Sequence, residues 1–74
     1  MTSNGIGVRI REAREMAKLK RIQLAANTGL ALGTIRNYEE SLTSPSIENL
    51  RLIADATDVD LLWLIDGDRV GEVA

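Results

Sequence analysis

The 74-residue chain contains no cysteine and no histidine. The first absence excludes disulfides and thiolate metal sites. The second removes a common metal ligand and the usual general base near neutral pH. Without either residue, neither a Ser/His/Asp nor a Cys/His set can be assembled for nucleophilic catalysis. No P-loop or GxGxxG motif occurs, and "NGIG" near the start is too short and follows no strand. No apolar stretch approaches the ~18 residues of a membrane span, and "LLWLI" is far too short to be one. The opening "MTSNGIGVRI" lacks the charged-then-apolar build of a signal peptide. The expectation is therefore a cytoplasmic protein with no catalytic activity, no cofactor, no metal and no membrane partner.

Proline occurs once, the aromatic residues are one Trp and one Tyr, and no alternating β-branched run is present. What remains is abundant Leu, Ile and Ala, which build a core most readily by packing helix on helix. The length fits one domain, near the size at which a single core is only marginally stable. Net charge is −2, yet it is unevenly spread. Residues 1–38 carry seven basic against two acidic residues, and residues 39–74 carry two against nine, giving +5 and −7. Because screening confines electrostatics to roughly 8–10 Å, a basic face can meet a polyanion despite the acidic total. A merely dipolar surface is the plainer alternative.

The periodicity predicts five short helices. The first runs from about Ile6 to Ala17, with Ser3 or Asn4 able to cap it. Ile6, Ile10, Ala13 and Ala17 lie inside, while Arg9, Arg11, Glu12 and Glu15 lie outside. The second spans about Arg21–Thr28 with Ile22, Leu24 and Ala25 inside, stopped by Gly29. The third covers Leu32–Glu39, with Ile35, Tyr38 and Leu32 sharing a face. After "SLTSPS", Ser46 caps a fourth helix reaching Ala56 and burying Ile47, Leu50, Ile53 and Ala54. Asp60 caps a last helix, "LLWLI", ended by Gly67, and "DRVGEVA" forms a frayed tail. Asp58 and Asp60 read as caps rather than metal ligands, and Asp66 and Asp68 around Gly67 do not make a calcium loop. The expected organisation is a single domain over residues 1–68 and a tail over 69–74.

Two short helices joined through a glycine turn, the second amphipathic, describe a helix-turn-helix over residues 21–40. Ala25 is small where the helices cross, Gly29 makes the turn, and Leu30, Ile35 and Tyr38 fix the second helix to the body. On these residues the chain resembles the XRE or phage Cro-repressor (CI-like) helix-turn-helix family. "GVRIREAREMAKLKRIQLA" is similar to that family's first two helices and "TGLALGTIRNYEE" to its turn and recognition helix. "SPSIENLRLIADAT" is similar to its fourth helix, and "VDLLWLIDGD" resembles the end of phage repressor DNA-binding domains. The resemblance implies an all-α, five-helix, lambda-repressor-like bundle, in agreement with the periodicity.

It also implies roles for individual positions. Arg14 and Glu39 match a structural ion pair between the first and third helices, with a phosphate contact as the second reading of Arg14. Lys20 and Arg21 stand at the start of the second helix, where they meet DNA phosphate or remain a solvated cationic pair. Leu32, Gly33, Thr34, Arg36 and Asn37 occupy the base-reading positions. Asn37 suits adenine, Arg36 guanine or phosphate, and Leu32 a thymine methyl or the core. Ala31 replaces a frequent Ser cap, Thr28 replaces an apolar residue, and Ser41 replaces a frequent Gly. Ser41, Thr43 and Ser44 could bind phosphate, opposed by the charge of Glu40. Trp63 either fills the core or joins Leu61 and Leu64 in a dimer patch, since one recognition helix covers few base pairs.

The function expected is a sequence-specific regulator of transcription that binds a double-stranded operator as a homodimer. A phage or prophage repressor or Cro-like protein fits best. The rival is the same fold kept for protein binding, as an antirepressor, adaptor or antitoxin domain. The acidic total and the apolar Leu32-Gly33 favour the rival, whereas the basic N-terminal half opposes it. A regulatory protein is a further candidate partner. The "WLIDGD" end fits both a complete small protein and the N-terminal domain of a longer repressor.

Overall fold

A computed structural model describes residues 5–67, so Ser3, Asn4, Asp68 and the tail lie outside the described residues. Five helices follow one another: α1 (Ile6–Met16), α2 (Arg21–Thr28), α3 (Leu32–Glu39), α4 (Ile47–Thr57) and α5 (Leu61–Asp66). No helix among them is long and apolar enough to cross a membrane. Gly5, rather than a Ser or Asn, occupies the N-cap of α1 and offers no side-chain acceptor. Ser46 caps α4 by accepting from Asn49 N–H, and Asp60 caps α5 by accepting from Leu62 N–H. Gly29 ends α2 at φ 79°, a left-handed conformation that costs glycine no Cβ clash.

One core unites the bundle. Ile10 and Ala13 of α1 meet Leu24 and Ala25 of α2, Ile35 and Tyr38 of α3, Leu50, Ile53 and Ala54 of α4, and Leu64 of α5. α1 crosses α3, α4 and α5, while α2 packs on α3 and α4. α1 approaches the end of α3 closely at Gly7. A Cβ there would collide with the Tyr38 carbonyl and stand 2.8 Å from Ser41 Oγ and 3.1 Å from the Glu39 carbonyl. Gly7 therefore sets how near the third helix can sit.

Three expected core positions differ. Ile22 is 61% exposed and Ile47 is 54% exposed. At about 100° per residue, Ile22 lies well off the face shared by Leu24, Ala25 and Thr28, and Ile47 begins α4 at the rim of its buried face. Ala17 is the C-cap of α1 and only partly buried. In place of Ile22, the face takes in Thr28, whose hydroxyl donates to the Leu24 carbonyl at 2.8 Å and accepts from Leu30 N–H at 3.2 Å. The polar residue at an apolar position thus ties the helix end to the turn. Thr57 likewise donates to the Ile53 carbonyl at 2.7 Å.

Candidate nucleic-acid interface

The interface is assembled on a buried ion-pair network. Arg14 Nε donates to Glu39 Oε2 at 2.6 Å and Nη2 to Oε1 at 3.1 Å, while Nη1 donates to the Leu19 carbonyl at 3.0 Å. The Glu39 side chain has no exposed surface. Hydrogen bonding to this carboxylate raises the Arg14 pKa above the ordinary arginine range, against the opposing effect of burial. Arg21, from α2, adds its Nε to Glu39 Oε1 at 3.0 Å. One carboxylate therefore fastens α1, α2 and α3 together and sets the pose of α3.

Tyr38 is the second fastening. Its hydroxyl accepts from Asn49 Nδ2 at 2.8 Å, joining α3 to the first turn of α4. With Ile35, Tyr38 and Glu39 turned inward, the opposite side of α3 carries Gly33, Arg36 and Asn37. Gly33 and Arg36 are exposed, whereas Thr34 and Asn37 are half-buried. Nothing lies within 4 Å of the place a Gly33 Cβ would take, so the backbone is bare to an approaching partner. Leu32 is partly buried and packs against the core. Ala31, the N-cap of α3, makes no side-chain cap bond.

Lys20 is exposed at the N-cap of α2. Lysine has no acceptor, so only the returning half of a capping box forms: Gln23 Oε1 accepts from Lys20 N–H at 2.7 Å. The first amides of α2 lack intrahelical acceptors and face the end where the helix dipole favours an anion. Beyond α3, the turn bends at Ser41, whose φ of 62° explains why glycine would suit the site. Ser41, Thr43 and Ser44 line one hollow of about 180 Å³ with Ile6, Gly7, Tyr38 and Pro45.

The basic half is not spent as its composition predicts. Arg9, expected on the solvent face of α1, donates Nε to the Leu64 carbonyl at 2.9 Å and Nη2 to the Ile65 carbonyl at 2.7 Å. It satisfies carbonyls that the end of α5 leaves orphaned. Arg14 and Arg21 hold Glu39, and Arg11 pairs with Glu15 at 3.4 Å. Lys18, Lys20 and Arg36 remain exposed. Among the described residues no group of three His, Cys, Asp or Glu could hold a metal ion.

The dimer patch also needs correction. Leu64 has no exposed surface and belongs to the core, so it cannot meet a second chain. Leu61 and Trp63 are half-buried, and Leu62, between them, is 60% exposed. The run "LLWLI" has no polar face to indicate which residues turn outward, and packing against α1 and α4 decides it.

A helix-turn-helix family model matches residues 10–64, which takes in the Arg14–Glu39 pair, both helices of the motif and α4. The chain belongs to the helix-turn-helix family of DNA-binding transcriptional regulators. Comparison with curated protein sequences yields no match. Among solved structures, this helix-turn-helix domain is similar to the P22 c2 repressor in complex with a synthetic operator. Identity is 30% and the TM-score 0.83, covering 89% of this chain and 100% of that one. It is also similar to the biofilm regulator SinR in complex with DNA, at 31% identity and a TM-score of 0.79, covering 82% of this chain and 98% of that one. The SinR chain of a SinR–SinI complex matches at 31% identity and a TM-score of 0.79, over 82% of this chain and 60% of that chain. SinR is a Bacillus subtilis protein.

Proposed function

We propose that the chain is a repressor, of the kind phages and prophages carry or Cro-like, whose domain over residues 1–68 binds a two-fold operator as a dimer. α3 enters the major groove and repression follows from blocking polymerase. The observation that carries this reading is the outward face of α3, where bare Gly33 backbone lies beside Arg36 and Asn37. Asn37 pairs with adenine, and Arg36 reaches guanine or a phosphate. Thr34 and Leu32 flank this face, where Leu32 has only part of its side chain to offer a thymine methyl. Lys20, Arg21 and the hydroxyls of Ser41 and Thr43 serve as phosphate contacts. The DNA-bound P22 c2 and SinR structures support this mode of action. A regulatory protein as a further partner is supported by the SinR–SinI complex.

Selection of bound duplexes from a random library, with affinity followed against salt, tests the reading. It should yield a roughly two-fold site and a log–log salt slope of about −4 or steeper, from about five or more phosphates neutralised. Binding that is weak and indifferent to sequence would refute it. Asn37→Ala should relax preference at one base position in each half-site at a cost of ~1–3 kcal/mol.

A further inference from the structure

Two guanidiniums share the Glu39 carboxylate, although Arg14 alone already engages both of its oxygens. Arg21 therefore brings surplus positive charge when its Nε joins Oε1 at 3.0 Å. The anchor is fully buried, while 31% of the Arg21 side chain stays open. Tying Nε to a fixed acceptor orients the rest of the guanidinium at the first turn of α2, with its terminal nitrogens available to an anion. One of those nitrogens, Nη2, lies 3.9 Å from Oε2 of the half-exposed Glu40 side chain. That separation is too long for a hydrogen bond and short enough for an ion pair. Glu40 makes no other ion pair among the described residues.

We propose that Glu40 is an electrostatic gate on Arg21: it pairs with Nη2 in the free protein, and a DNA phosphate must displace it to bind there. The inference rests on the DNA-binding reading and adds to it a residue that opposes binding. Glu39 is the positioning residue, since it fixes the guanidinium without taking its outer edge. Glu40 sits at the C-cap of α3, on the chain's own DNA-binding motif, so its like charge also weighs against the phosphate directly. Because phosphates are common to all sequences, the gate lowers affinity for every duplex alike.

Glu40→Gln keeps the size of an exposed side chain and removes its charge. The variant and parent are titrated onto the selected operator and a scrambled duplex over a range of salt. Both duplexes should bind the variant about two- to five-fold more tightly, the size of a surface ion pair. The salt slope should steepen by about 0.9, one further phosphate. With Arg21→Ala present, the change in slope should vanish. Unchanged affinity and slope would overturn the proposal, as would an equal gain with Arg21→Ala present. A parent that prefers no operator refutes the sequence-specific reading alone, because the scrambled duplex still reports on the gate. Failure of parent and variant to bind any duplex overturns both.

Discussion

Glu39 is a carboxylate with no exposed surface, bound by two arginines from two other helices. Replacing it by Ala would leave the Arg14 charge, only 12% exposed, without its carboxylate and with just the Leu19 carbonyl as acceptor. A loss of about 3–5 kcal/mol is expected, read as a lowered urea midpoint. Arg14→Met should cost less, because Arg21 still pairs with Glu39. The bond to Glu39 raises the Arg14 pKa, so the arginine's share of the pair is fully present until strongly alkaline pH and is lost only as pH rises through the raised value. Arg14 therefore introduces no pH dependence near neutrality. Two glycines make an opposite pair of predictions. Gly7→Ala drives a Cβ into the backbone of α3, which cannot yield, and should destabilise by ~1–3 kcal/mol. Gly33→Ala meets open space in an exposed helix and should stabilise by ~0.5–1 kcal/mol. If DNA approaches this backbone, the same change weakens operator binding, so melting and affinity should move in opposite directions.

The helices owe their limits to local chemistry that the sequence states openly. Gly29 takes the left-handed turn, and Ser46 and Asp60 supply their side-chain oxygens to first-turn amides. α3, like α1 and α2, starts without a side-chain acceptor, since Ala31 gives it no cap. Ala31→Ser should place a hydroxyl within reach of the free amides and stabilise the domain by ~0.5–2 kcal/mol, seen as a rise in melting temperature. Little change would mean that Ser at this position does not reach an α3 amide. The inward face of α3 was legible from Ile35 and Tyr38, since their spacing is helical. The exposed side of Ile22 was not legible, because an eight-residue helix with four apolar positions allows more than one choice of face. Thr28 joined the buried face because its hydroxyl could satisfy itself on the helix's own carbonyls.

Across the whole molecule, the charge count overstates the cations that can reach DNA. Arg9 and Arg14 turn toward internal acceptors, and Arg21 gives its Nε to one while part of its side chain stays open. Long basic side chains reach carbonyls and carboxylates that burial would otherwise leave unsatisfied, and no count of residues reveals which will do so. The proposed dimer has the same dependence on packing. Leu62, 60% exposed on α5, is the side chain available to a second copy beside half-buried Leu61 and Trp63. Leu62→Glu should leave the fold within about 0.5 kcal/mol of the parent. It should also lower operator affinity, with sedimentation reporting loss of the dimer. Leu64→Ala should instead cost about 2–5 kcal/mol in folding, because that side chain fills the core.

By itself the sequence determined the all-α class, the five helices, the motif over residues 21–40 and the caps of the last two helices. Each of these depends on near neighbours in the chain: helical spacing, a glycine where φ must be positive, a hydroxyl or carboxylate one turn before an amide. Tertiary structure decided which cations stay outside, which leucine of "LLWLI" faces solvent, and that Gly7 sets the approach of α3. It also drew Arg21 to Glu39 and set Glu40 beside it. These outcomes depend on distances between residues far apart in the chain. They come into being only when the helices pack.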